Sequence, residues 1–180
     1  MGEYEKALSL FEKALKIREE VLGVNHPDTA TGYNNLSGLY KSMGENKKAL
    51  PLCEKALKIR EEVLGVNHPD TATSYNNLAG LYKSMGENKK ALPLCEKALK
   101  IREKVLGVNH PDTATSYNNI SIIYKDLKEC LKAKEYMQKA IDIWKEYEYY
   151  NKNLYDARNF IKDIDYNIKK NKNAKFCKDI

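Results

Sequence analysis

Three histidines and four cysteines are the residues best suited to chemistry, and their spacing argues against both metal binding and nucleophilic catalysis. His26, His68 and His110 each stand in a His-Pro-Asp tripeptide, 42 residues apart. On successive helix pairs such histidines lie about 10 Å from one another, whereas ligands of one metal must each come within about 2 Å of it. Cys53, Cys95, Cys130 and Cys177 form no Cys-x-x-Cys pair. They read as small buried apolar residues in a reducing compartment. The phosphate-cradling glycine loops, the paired-histidine helix motif and the Cys–His pairing that an activated nucleophile needs are all missing from the sequence. The expectation is a chain with no catalytic residue, no metal and no cofactor.

Charge and hydropathy narrow the partners. Lys plus Arg number 31 against 25 Asp plus Glu, a net charge of +6. The excess clusters only in Lys169, Lys170, Lys172, Lys175 and Lys178. With no aromatic ladder or reader motif beside it, that cluster reads as a solvated end and not as a nucleic-acid site. Mean hydropathy is −0.67, and no run approaches the roughly 18 uncharged apolar residues of a membrane helix. The first residues, charged throughout, do not form a signal peptide. A cytoplasmic protein without membrane contact is expected.

What positions the remaining polar residues is a repeat. Residues 2–43 and 44–85 differ at six positions, and residues 44–85 and 86–127 at seven. A degraded fourth copy begins near Lys128. Fixed periods of this length mean stacked supersecondary units, each burying its neighbour's apolar face. Proline suits the first turn of a helix, and an acid there meets the positive end of its dipole. Pro27-Asp28, Pro69-Asp70 and Pro111-Asp112 therefore open a first helix in each unit, predicted over 28–43, 70–85 and 112–127. Gly44 and Gly86 break the chain before a second helix, predicted over 45–64, 87–106 and 129–148, with Pro51 and Pro93 in conflict with its second turn.

The resulting plan is a lone helix over 3–22, helix pairs over 28–64, 70–106 and 112–148, a capping helix over 151–170 and a flexible basic tail over 171–180. Leu154, Ala157, Ile161, Ile164 and Ile168 give the cap one apolar stripe. Trp144 stands where Arg60 and Arg102 stood and suggests a dry contact with the segment beyond; Tyr147, Tyr149, Tyr150 and Tyr155 are expected to pack at that junction. The lone helix lacks a first-type mate, which would leave Leu8, Phe11 and Leu15 showing an apolar side. It marks a fragment of a longer array, self-association through that end, or simple packing on the next pair.

At 100° per residue the first helix separates two faces. Tyr33, Leu36, Ser37 and Tyr40 face Ala49, Leu52, Cys53, Ala56 and Leu57 of the second helix, large residues against small. About 120° away lies a polar stripe of Thr31, Asn34, Gly38 and Lys41. It recurs as Thr73, Asn76, Gly80 and Lys83, and again as Thr115, Asn118, Ile122 and Lys125.

Asn-Leu-Ser-Gly-Leu-Tyr, then Gly44, Ala49 and Ala56, resembles the tetratricopeptide repeat. The 42-residue unit is similar to the repeats of kinesin light chains. The resemblance implies an all-α protein, an α-solenoid wound as a right-handed superhelix of helix pairs, whose first helices line a concave groove. It also implies a protein-interaction adaptor that holds an extended, acidic peptide. In that reading the amides of Asn34, Asn76 and Asn118 pair with peptide backbone, and Lys41, Lys83 and Lys125 meet its carboxylates. Gly38 and Gly80 let it approach closely, while Thr31, Thr73 and Thr115 make weaker contacts. The rival reading is a structural module that stacks end to end with no dedicated ligand. Ile122 in place of glycine ends the groove or adds an apolar pocket, and Lys128 replaces the glycine between helices.

Overall fold

The computed structural model describes residues 2–170 and Cys177. Among these it is all-helical: α1 (Gly2–Leu22), α2 (Pro27–Ser42), α3 (Asn46–Val63), α4 (Pro69–Ser84), α5 (Asn88–Leu106), α6 (Pro111–Asp126), α7 (Cys130–Trp144), a 3-10 turn (Glu148–Tyr150) and α8 (Asn151–Lys170). The helices pack consecutively as solenoid pairs in two compact units, Met1–Ile101 and Arg102–Ile180.

The linker before each first helix is built by its own side chains. Nδ1 of His26, His68 and His110 accepts the backbone N–H of Asp28, Asp70 and Asp112 at 3.1 Å, so the histidines are helix caps. Proline follows at the position where a missing N–H costs nothing. The next threonine in each copy, Thr29, Thr71 and Thr113, is fully buried and donates 2.8 Å hydrogen bonds to the carbonyls of Gly23, Gly65 and Gly107. The turn inside each pair needs a left-handed residue. Gly44 and Gly86 supply it at φ +78° and +76°, and Lys128 is held at +66° in the third pair, where a side chain costs about 1–2 kcal/mol. Pro51 and Pro93 sit inside α3 and α5 without ending them. Both are exposed, so water can reach the carbonyl that proline leaves unpaired.

In the first unit, Leu15, Ala30, Tyr33, Leu36, Ala56 and Ile59 form one core cluster. Ala49, Cys53, Leu57, Ala72, Tyr75, Leu78, Leu81, Ala98 and Ile101 form the next. Alanines and cysteines opposite tyrosines and leucines allow close helix approach. Helix α1 lies on α2 through Leu8 and Leu15. The apolar side it exposes is therefore not the expected Leu8–Leu15 side but Leu10, Ile17 and Val21, with Phe11 at its edge.

In the second unit α7 packs on both α6 and α8, and Met137, Ala140, Trp144, Leu154, Ala157 and Ile164 are buried. Three expectations are corrected there. First, α7 ends at Trp144, not at residue 148, because the 3-10 turn brings the Tyr150 ring back to stack on Trp144 at 5.9 Å. Second, Tyr155 does not pack at the junction, being 68% exposed, while Tyr149, although 91% exposed, meets the Tyr150 ring edge-on at 5.4 Å. Third, the cysteines are not all thiols. Cys130 and Cys177 form a disulfide with Cα atoms 5.4 Å apart, while Cys53 and Cys95 are buried thiols. The tail expected over 171–180 lies outside the described residues except for Cys177.

Candidate functional site

The polar stripe divides into a buried half that joins helices and an open half. Arg60 of α3 is the centre of the buried half, and sequence reasoning missed it. The residue is 6% exposed. Nη1 donates to the Asp70 carbonyl at 2.8 Å and to Ser74 Oγ at 3.1 Å, and Nη2 donates to Thr31 Oγ1 at 2.9 Å. One planar fork thus ties α2, α3 and α4 together, a task for which the compact ammonium of a lysine lacks the reach and geometry. Burial pulls the guanidinium below its ordinary value, offset by the Asp70 and Asp28 carboxylates.

Asn34 belongs to the same knot. It is buried, and its Nδ2 donates to Ser74 Oγ at 3.0 Å. Its Oδ1 accepts from Cys53 Sγ at 3.8 Å. The amide read from the sequence as a peptide contact is thus engaged in the joint between α2 and α4. Cys53 is pushed up to about 11, chiefly by burial, so it stays a protonated thiol at neutral pH and is no nucleophile. Thr31 and Thr73 are half-buried and donate to the carbonyls of Pro27 and Pro69 in their own helices. Asn76 is half-buried beside them in sequence register.

The open half runs through Gly38, Lys41 and Gly80. A Cβ added at Gly38 would meet nothing within 4 Å, and Lys41 is exposed. The Lys41 ammonium reaches across from α2 to α4 and stands 3.2 Å from where a Cβ of Gly80 would be. Glycine at position 80 is what leaves that path clear. Lys83 is half-buried one repeat on.

In the second unit Thr115, Asn118, Ile122 and Lys125 are all half-buried on α6. Thr115 donates to the Pro111 carbonyl, and the Asn118 carbonyl accepts from Ser121. Lys125 already has a carboxylate. Its Nζ lies 2.6 Å from Asp163 Oδ2 of α8 and 4.7 Å from the Phe160 ring centroid. The bond to the ammonium holds the Asp163 carboxyl below its usual range. Nothing in the sequence around Phe160 or Asp163 announces this contact, because it depends on where α8 turns back.

A second periodic feature surrounds the stripe. Tyr33, Tyr75 and Tyr117 donate to Glu19, Glu61 and Glu103 of the preceding second helix. Burial, then the carboxylate, pushes Tyr75 up to about 12. No group of three metal-ligating side chains occurs among the described residues, nor is any helix long and apolar enough to cross a membrane.

The chain belongs to the tetratricopeptide repeat family, whose model matches residues 1–50, 32–94 and 73–146. Solved structures share the fold. A kinesin light chain-type protein of Podosopora anserina with nearly identical TPR-like repeats is 21% identical, with a TM-score of 0.77 over 96% of this chain and 82% of its own. BtubC (BKLC) of P. vanneervenii is 24% identical, with a TM-score of 0.73 over 94% of this chain and 72% of its own. The apo form of RapI is 22% identical, with a TM-score of 0.76 over 94% of this chain and 45% of its own. No curated protein matches the chain in sequence.

Proposed function

We propose that this tetratricopeptide scaffold binds a partner segment carrying carboxylates and an aromatic side chain along the open half of its stripe, with Lys41 and Lys83 as the cationic contacts. The Lys125 clasp carries the reading. Lys125 is the third member of the lysine row, and it holds a carboxylate at 2.6 Å beneath an aromatic ring. Lys41 is the same residue on the same repeat position, exposed, with Gly38 open beside it. The ammonium supplies steering and register, and Gly38 supplies close approach. Asn34 serves here by fixing α2 against α4, while Asn76 and Asn118 offer amide contacts once their side chains turn to the ligand. Thr31, Thr73 and Thr115 shape the edge of the stripe.

The test is a titration of the full chain with a fluorescent ten-residue peptide rich in glutamate and carrying one phenylalanine. Binding that weakens at least about tenfold in the Lys41→Glu, Lys83→Glu double variant, and that weakens with added salt, is the expected result. Unchanged affinity in that variant, or no binding by the parent chain, overturns the reading.

A further inference from the structure

The repeat position that opens the second helix of a pair reaches forward to the next element. Asn46 holds it in α3, and its Oδ1 accepts a 3.1 Å hydrogen bond from Ser84 Oγ of α4. Asn88 holds it in α5 and Cys130 in α7. Cys130 is therefore not one of the cysteines carried along by the repeat. Those are Cys53 and Cys95, both buried thiols, and their counterpart in α7 is Met137. Cysteine replaces asparagine in the copy where a second cysteine arrives. Cys177, which follows the end of α8 in sequence, bonds to Cys130, and the two are 4% and 0% exposed. A covalent bond thus stands where an earlier copy has a hydrogen bond.

The two ends of α8 are held differently. Near its start Leu154 and Ala157 are buried, and just before it the Tyr150 ring stacks on Trp144. Past Ile164 none of its described side chains is buried. The polar contacts on that half are Lys125–Asp163 and Lys134–Asp165, each 2.6 Å, and partly exposed ion pairs contribute little. The disulfide adds the covalent constraint. It closes a span of 47 residues that contains both α7 and α8. Breaking it restores the chain entropy that closure removes.

We infer that Cys130–Cys177 is a reversible thiol switch that latches the C-terminal half of α8 over Lys125. The structure is the oxidised form. A low-molecular-weight thiol opens it in two exchanges. Its thiolate attacks one cysteine sulfur, the S–S bond breaks and a mixed disulfide forms; a second thiol then displaces the remaining cysteine. The products are two cysteine thiols and one molecule of the reductant's disulfide, so the two electrons and two protons come from the reductant. Oxidised glutathione reverses both steps. Once the bond is open, two ion pairs are left to hold that half of α8, and Lys125 is released more often. That Lys125 then receives a ligand carboxylate rests on the peptide reading above; the latch itself does not.

The full chain is compared in its oxidised form and after reduction with dithiothreitol, by hydrogen exchange and by labelling of lysine amines with acetic anhydride. Reduction should speed amide exchange over residues 160–169 at least about tenfold and raise labelling of Lys125 and Lys134 at least about threefold, with α2 to α4 unchanged. Oxidised glutathione should restore both, with the loss of two hydrogens in intact mass. Cys177→Ser should show the reduced pattern with and without dithiothreitol. Equal exchange and labelling in the two forms overturn the inference. So does a response to dithiothreitol that persists in Cys177→Ser, a bond that dithiothreitol cannot open in the folded chain, or one that oxidised glutathione cannot restore. An acidic peptide that binds neither form counts against the peptide site alone, because exchange and labelling judge the latch without it.

Discussion

The α3–α4 joint and the α7–α8 joint start from the same template and end differently. At one repeat position α3 has Arg60 and α7 has Trp144. Arg60 reaches forward to the Asp70 carbonyl and Ser74, groups that exist only where another Pro-Asp-Thr helix follows, and back to Thr31 of α2. Arg102 makes the same bonds to the Asp112 carbonyl and Ser116. Trp144 has no such helix after it; it is 1% exposed and stacks on Tyr150. A buried cation is tolerated only with its hydrogen-bonding partners supplied, so the arginine commits the chain to a further repeat. The indole accepts a cap that need satisfy no guanidinium.

Replacing Trp144 tests this contrast with the largest effect. Trp144→Ala leaves a cavity between α7, the 3-10 turn and α8 that rigid helices cannot close. A loss of about 3–5 kcal/mol is expected in urea unfolding, with amide protection lost first in α7 and α8 by hydrogen exchange. Trp144→Arg should fare no better, since it buries a charge with no Ser74 or Asp70 equivalent to receive it. A Trp144→Arg chain as stable as the parent would break the comparison.

The next effect is smaller and graded along the array. Arg60→Lys removes a fork with three hydrogen bonds and should cost about 1–3 kcal/mol. Arg18→Lys should cost less than about 1 kcal/mol, because Arg18 makes a single 3.3 Å bond to the Asp28 carbonyl and Gly32 stands where Ser74 would be. Urea midpoints of the two variants measure the difference; equal midpoints would mean the fork contributes nothing beyond its packing.

How much of this was legible follows from what a period encodes. Repetition located the helices because Pro27-Asp28 and Gly44 act within one turn of themselves, and the direction of each apolar face follows from helix geometry alone. Partners did not follow. The Asn34–Ser74 bond spans 40 residues, and Lys125–Asp163 spans 38. A wheel reports which way Asn34 points and not that another helix arrives to take its amide. The histidine caps escape notice for the opposite reason: spacing across repeats speaks only to a shared metal, while their work is done two residues away on an Asp N–H. The Cys130–Cys177 pair was out of reach because one partner is a repeat residue and the other lies past the last helix.

Gly38 gives the smallest effect and the sharpest question. It lies inside α2 with open space where a Cβ would project, a place where glycine costs a helix stability relative to alanine. The register-equivalent position in α6 is Ile122, so the helix itself does not require glycine there. Gly38→Ala should therefore stabilise the chain by about 0.5–1 kcal/mol, raising the urea midpoint with an unchanged slope. If the glycine is kept so that a ligand backbone can lie against the helix beside Lys41, Gly38→Leu should gain similarly in stability and lose acidic-peptide binding. Stability gained with binding intact in both variants would leave Gly38 as an inheritance of duplication and move the contact surface wholly onto the lysines.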